Sequence, residues 1–321
     1  MLEIKQELSE IAQILAPPMC KSPSIVFMTN GDIGERAVVF QNGSMIIEDV
    51  KQGEIYLRQL IYLTNVNQVQ SEIKLKQVLS TECPLHAENS PAVSQGVLLE
   101  ADYSTLTCEW LKVMLFSLAF NSNTIFGNEG IVNVLILGAG GGVFSTFLLT
   151  HFQNIQVFAV DIDSSLIDIG RRFFGVKESN RHQIIIEDAL IFVDNCRDLL
   201  FDFIFLDIGA ADPHIPTPPP AFISQDFLRK LKNIMTENCV LSVNTIRTDP
   251  EQENSIKEFS KSFESLYKLS CEEDTNDILF CLKQVITQSQ IEENLKIIEE
   301  RKTWDSSINL SDYLSALILK S

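Results

Sequence analysis

The residues whose spacing carries the most chemistry run from Val134 to Phe144, Val-Leu-Ile-Leu-Gly-Ala-Gly-Gly-Gly-Val-Phe. An apolar strand enters a glycine-rich turn there and leaves it as a helix near Ser145. Glycine lets a backbone turn sharply and lie directly against a ligand. Three acids end the apolar runs that follow: Asp161 after Val157-Phe-Ala-Val, Asp188 after Ile184-Ile-Ile-Glu, and Asp207 after Phe203-Ile-Phe-Leu. A carboxylate at the tip of the second strand can accept ribose hydroxyls. In a doubly wound sheet the first and fourth strands flank the point where strand order reverses, so Asp207 is expected beside Gly138. The segment reads as a nucleoside site contacted by Gly138, Ala139, Gly140, Asp161, Ile162, Asp188, Ala189 and Asp207. The plainer alternatives stay open at this point: a tight strand-to-helix turn, and Asp188 as the cap of a helix starting at Ala189.

The choice of nucleoside is narrowed by what the turn lacks. A dinucleotide fingerprint needs glycine at position 143, where this chain has Val143, and the Lys-Ser/Thr of a phosphate loop is missing. No basic residue lies between Gly138 and Thr150 to balance phosphates. S-adenosylmethionine, a sulfonium nucleoside without phosphate, suits such an acidic pocket. On the acceptor side, Asp207 and Asp212 are the candidate catalytic acids, placed to orient a nucleophile and take its proton. Glu109, Trp110 and His214 are candidate substrate contacts, the first two opening a helix and the last in a stiff loop, Pro213-His-Ile-Pro-Thr-Pro-Pro-Pro. A solvated charge beside a core aromatic, and a rigid linker, are the competing explanations for those positions. Scattered cysteines and histidines without a C-x-x-C pair give no metal site.

Elements able to hold these residues follow from periodicity. Apolar strands at 131–137, 156–161, 183–187, 202–207 and 239–246 alternate with helices near 145–151, 164–174, 189–196 and 221–235. Strands apolar throughout and separated by helices belong to a parallel sheet covered on both faces. Leu266–Ser270 and Asp277–Leu282, joined by an acidic turn, predict a closing antiparallel hairpin. Upstream, Ile4, Leu8, Ile11 and Leu15 predict a short helix ended by Pro17-Pro18. Apolar runs around Asn30-Gly31 and Asn42-Gly43 predict β-hairpins, and residues 53–63 extend that sheet. Residues 80–97 read as a linker and 106–120 as a helix. The expected division is an N-terminal helix and β-rich extension over 1–100 and an α/β domain over 101–321.

Of the 321 residues, 43 are acidic and 25 basic, a formal charge of −18. Phosphate contacts need Lys and Arg, so nucleic acid is a poor partner, whereas a basic protein would be drawn in by long-range attraction. No apolar run is long enough for a membrane span, and the acid-bearing N-terminus does not read as a secretory or transit signal. A reduced, cytoplasmic setting is the expectation. The β-rich extension could pair subunits into a homo-oligomer.

In this order Gly138–Gly142, Asp161, Asp188 and Asp207 resemble a class I S-adenosylmethionine-dependent methyltransferase. That implies a Rossmann-like, mostly parallel sheet of seven strands with the C-terminal antiparallel hairpin. The β-rich segment ahead of it resembles the spermidine synthase branch of that fold. A more specific similarity is to the C-terminal domain of the elongation factor 1-alpha lysine and N-terminal methyltransferase family. It is carried by Leu60-Ile-Tyr-Leu-Thr-Asn, Gln70-Ser-Glu-Ile-Lys-Leu, Phe174-Gly175, Pro218-Pro-Pro-Ala-Phe222, Asp277-Ile-Leu-Phe-Cys281, Trp304-Asp305 and Leu310-Ser-Asp312. The resemblance implies methyl transfer to the N-terminal α-amine of elongation factor 1-alpha. Lysine methylation, the work of that family's other domain, is not carried over. Aminopropyltransferases of the spermidine branch place an acid inside the glycine loop, G-G-G-D-G-G, where this chain has Gly141. Aminopropyl transfer therefore ranks below methyl transfer, and a fold-retaining binding module without chemistry stands as a third reading.

Overall fold

The computed structural model describes residues 35–64, 69–78, 98–127, 130–209 and 215–320. The expected N-terminal helix, the Asn30-Gly31 turn and the 80–97 linker lie outside them.

Five strands form the first sheet in sequential order: β1 (Glu35–Gln41), β2 (Met45–Gln52), β3 (Ile55–Tyr62), β4 (Val69–Val78) and β5 (Leu98–Ala101). All its pairings are antiparallel. The β1–β2 turn forms where Asn-Gly predicts it, because the Asn42 carboxamide oxygen accepts the amides of Ser44 at 2.9 Å and Met45 at 2.8 Å. Ser71, Ile73 and Leu75 alternate inward along β4.

After α1 (Glu109–Leu115), a 3₁₀ turn (Phe116–Phe120) and α2 (Ser122–Phe126), the second sheet begins. It is built from β6 (Val132–Leu137), α3 (Val143–His151), β7 (Ile155–Asp161), α4 (Ser164–Phe173), β8 (His182–Ile186), α5 (Ala189–Asn195) and β9 (Phe201–Leu206). It continues through α6 (Gln225–Asn233), β10 (Met235–Ile246), α7 (Gln252–Ser262), β11 (Ser265–Ser270), β12 (Asn276–Leu282), α8 (Gln288–Arg301) and β13 (Ile318–Lys320). The order is β13-β11-β12-β10-β9-β6-β7-β8. β8, β7, β6, β9 and β10 run parallel, and β12 enters antiparallel between β10 and β11. Among the described residues the sheet has eight strands rather than the expected seven. The extra one is the three-residue β13 on the outer edge of β11, too short to carry a period in sequence.

The central strands are apolar on both faces because both faces are covered. Val134 and Ile136 of β6 join one core with Phe203, Phe205, Ile278 and Phe280, under α1, α3 and α8. Leu135 and Leu137 join the other with Ile204, Leu206, Leu241 and Val243, under α5, α6 and α7. The expected 106–120 helix is α-helical only to Leu115 and tightens to 3₁₀ beyond it. The expected 221–235 helix begins as a separate 3₁₀ turn at Pro220–Ile223, where prolines prevent regular α-pairing.

Candidate active site

β6 lies between β7 and β9, so the chain reverses its direction of winding at the C-terminal end of β6. The glycine turn sits there. Gly138, Gly140 and Gly142 have φ of +90°, +53° and +71°, values that only glycine adopts without strain. Gly138 also carries a contact constraint: a Cβ built on it would lie 2.1 Å from the Asp207 carbonyl oxygen. The backbone of β9 passes that close because the Asp207 amide continues the ladder to the Leu137 carbonyl at 2.9 Å. Gly138 and Asp207 are neighbours, as the strand order requires.

Asp161 ends β7 and braces the turn. Its carboxylate accepts the amides of Gly140 at 2.9 Å and Asp163 at 3.0 Å. Burial lifts this carboxyl above the usual carboxylate range, and the backbone donors pull it part of the way back. Ile162, the next residue, is an apolar side chain left 71% exposed. Asp188 caps α5 by accepting the Leu190 amide at 2.8 Å, and Ala189 is buried behind it. The capping role that sequence left open is therefore present, and Asp188 lies two residues past the end of β8, the strand beside β7.

Asp207 is half-buried at the tip of β9. Its Oδ1 accepts the Asn244 side-chain amide of β10 at 2.7 Å. Burial pushes its carboxyl up, the Asn244 and Trp110 side chains lower it, and the Asp161 charge adds a smaller upward push. Trp110 thus comes to the same carboxylate from α1. Glu109, its neighbour, turns the other way: it is buried and accepts three loop amides, Glu272 at 2.8 Å, Glu273 at 2.6 Å and Asp274 at 3.1 Å. The expected solvated charge or cleft-facing contact is here a fastener for the β11–β12 turn. Asp212 and His214 lie outside the described residues.

Sequence reading missed what the first sheet contributes. Ser71 of β4 accepts the Gly141 amide through Oγ at 2.9 Å, and a Cβ on Gly141 would meet that same oxygen at 2.9 Å. Tyr62 ends β3 close enough to Asp161 and Asp163 that, with burial as the larger cause, its hydroxyl is pushed up to about 12. Neither residue belongs to a chemical motif; their signal in sequence is the family-like stretches Leu60-Ile-Tyr-Leu-Thr-Asn and Gln70-Ser-Glu-Ile-Lys-Leu. Asn244 was also missed, though a carboxamide directly after the mostly apolar run Cys239–Val243 and before Ile246 is a visible irregularity.

The arrangement sets an exposed apolar side chain, a turn of bare backbone and carboxylates at or just past the ends of β7, β8 and β9 around the point where the winding reverses. No basic residue lies between Gly138 and Thr150 to balance a phosphate at this turn. Among the described residues no group of His, Cys, Asp and Glu has metal-ligand geometry.

Residues 114–294 match the family model described as the spermine/spermidine synthase domain. The human eEF1A lysine and N-terminal methyltransferase is 31% identical over 98% of this chain and 50% of its own length. The Xenopus laevis protein of that name is 29% identical over 99% of this chain and 50% of its own. This chain therefore spans about half the length of the curated relatives it matches. Among solved structures, human methyltransferase-like protein 13 in complex with SAH superposes with a TM-score of 0.57 at 30% identity, covering 64% of this chain and 99% of that one. A probable spermidine synthase from Corynebacterium glutamicum superposes with a TM-score of 0.56 at 13% identity, over 82% of this chain and 87% of its own, a likeness of fold.

Proposed function

The chain belongs to the spermine/spermidine synthase domain family, and from that premise we propose that it is an S-adenosylmethionine-dependent protein N-methyltransferase acting on the N-terminal α-amine of elongation factor 1-alpha. The acceptor comes from the name of relatives that are twice as long and from the resemblance carried by the motifs. The solved neighbour holding SAH supports the cofactor. One observation of this chain carries the reading: Asp207, its carboxylate flanked by Trp110 and Asn244, sits against the Gly138 turn at the reversal of the sheet.

In this reading Gly138, Ala139, Gly140, Asp161, Ile162, Asp188 and Ala189 hold the nucleoside. S-adenosylmethionine, when bound, supplies a methyl group on positive sulfur, already a strong electrophile. The protein's task is then to hold a neutral amine in line and exclude water. An α-amine titrates near ~8 and a lysine near ~10.4, so the N-terminus loses its proton more readily. Asp207 orients that amine and accepts a proton from it directly or through water, with Asp212 as a second acid. Trp110 forms a wall of the amine pocket and His214 belongs to the acceptor loop. Glu109 supports the pocket through the loop amides it holds. The 1–100 extension and the 101–321 domain share the site, since Ser71 reaches the glycine turn.

A specific observation separates this from aminopropyl transfer. The place an acid would occupy at position 141 is filled by Ser71, whose oxygen would stand 2.9 Å from the new Cβ. An acid at this place would require the Ser71 side chain to give way and would cost the bond it accepts from the Gly141 amide.

The test is incubation with S-adenosylmethionine and elongation factor 1-alpha followed by peptide mass mapping. Methyl groups on the N-terminal peptide are expected. Methyl groups confined to internal lysines would overturn the acceptor, and spermidine formed from putrescine and decarboxylated S-adenosylmethionine would overturn the reaction. Among the described residues no helix is long and apolar enough to cross a membrane.

A further inference from the structure

We propose that Asn244 is a positioning residue: its amide, locked in one orientation by Asn276, presents an N–H to Asp207 and so fixes the direction in which that carboxylate faces the acceptor amine. The inference rests on the role given to Asp207 above and adds the device that sets it.

Register brings the three residues together. Val243 pairs with Leu206 across the parallel β10–β9 ladder, so one step further Asn244 comes opposite Asp207. On the other side Asn244 pairs with Ile278 and Asn276 with Ile246, which puts Asn276 diagonally next to Asn244 on the same face. The Asn276 side-chain amide donates to the Asn244 carboxamide oxygen at 2.7 Å, and the Asn244 amide donates to Asp207 Oδ1 at 2.7 Å. A carboxamide has one accepting and one donating end. With its oxygen taken by Asn276, Asn244 can offer Asp207 only the donor. The flip that would bring a second acceptor against a carboxylate is thereby excluded. Asn244 is 5% exposed, so water does not compete for either bond.

The groups that face Asp207 from the surrounding elements are Asn244 from β10, Trp110 from α1, the Asp161 carboxylate from β7 and the buried Cys108 thiol ahead of α1. Of these, Asn244 and Trp110 favour the charged carboxylate; burial and the Asp161 charge oppose it. Removing the Asn244 donor must therefore raise the pH at which Asp207 takes up a proton. Its free oxygen is also released from a fixed heading.

Methylation rates alone would not isolate this, because the α-amine titrates in the same experiment. Binding does. A synthetic peptide with the N-terminal sequence of elongation factor 1-alpha stays an ammonium below about pH 7, so its affinity for the protein saturated with S-adenosylhomocysteine reports the carboxylate facing it. Calorimetry from about pH 4.5 to 7 is expected to show wild-type affinity falling as the pH is lowered. In Asn244→Ala the midpoint moves up by about one pH unit, a tenfold weaker binding below both midpoints. Asn276→Ala leaves the donor but frees it, and shifts the midpoint the same way by less. Asp207→Asn abolishes the transition. S-adenosylhomocysteine affinity within threefold of wild type shows that each variant keeps its fold, and Asn276→Ala, on the half-buried partner, carries the test if Asn244→Ala does not. A wild-type transition that neither asparagine variant moves overturns the positioning role and leaves the proposed function standing. A transition that survives in Asp207→Asn overturns both.

Discussion

A carboxylate placed at the tip of an apolar strand is held there against its own solvation. For Asp207 that tension has a measurable sign. Its carboxyl is raised by burial, so the ionised form costs folding stability at neutral pH, and the cost fades as pH falls toward the ordinary carboxylate range. Asp207→Asn is expected to lower methyl transfer at least a hundredfold, to leave S-adenosylhomocysteine affinity within threefold, and to raise Tm by about 2 °C at pH 7. An unchanged rate would remove Asp207 from the chemistry. Gly138→Ala tests the turn. Its φ of +90° and the 2.1 Å approach of the Asp207 carbonyl leave no room for a methyl, so a loss of about 3 kcal/mol or more in urea unfolding is expected, with cofactor binding abolished. The acids and glycines were legible because each ends a recognisable apolar run. The partners of those acids were not. Glu109 shows why: nothing local announces that its carboxylate is claimed by amides more than 160 positions away.

Elements reach the site from both sheets. Arg58 of β3, 1% exposed, grips Asp49 of β2 through Nε at 2.7 Å and Nη2 at 3.0 Å, and donates its remaining amine to the Phe173 carbonyl at 2.9 Å. Tyr103 donates to the adjacent Phe174 carbonyl. The first sheet is thereby fastened to the end of α4, whose Gly170 packs against Gly141. Arg58→Met would strand a fully buried Asp49 charge and is expected to cost about 3–5 kcal/mol in denaturant melts; Asp49→Asn in the same chain should recover part of it. Ser71→Ala removes the acceptor for the Gly141 amide and should weaken S-adenosylhomocysteine binding about fivefold, the worth of roughly 1 kcal/mol. The parallel strands and their helices were legible from alternating apolar and amphipathic runs. β4, α7 and α8 were overlooked although their signals are present, in α8 as Ile291, Leu295 and Ile298 behind a capping box of Thr287 and Gln290.

For the whole molecule the dominant quantity is a net charge of −18. Exposed charges are screened over about 8–10 Å near physiological salt, so steering of a basic protein is a salt-dependent rate effect. Raising ionic strength from about 0.05 to 0.5 M is expected to lower kcat/KM for intact elongation factor 1-alpha about tenfold, leave kcat unchanged, and scarcely affect a short N-terminal peptide. Equal salt response for protein and peptide would mean that the acidic surface plays no part in the encounter.

Amino-acid order by itself determined the sheet-and-helix alternation, the turn at Gly138 and the acids at the strand tips. These depend on local spacing: a period of two or 3.6 residues, a conformation reserved for glycine, a polar residue ending an apolar run. Only the tertiary structure decided which side chains share a hydrogen bond. Ser71 beneath Gly141, Asn244 against Asp207 and Glu109 across the β11–β12 turn depend on strand register and on the docking of two sheets. Such pairings join residues far apart in the chain, and a contact of that kind leaves no periodic trace in either partner's own neighbourhood.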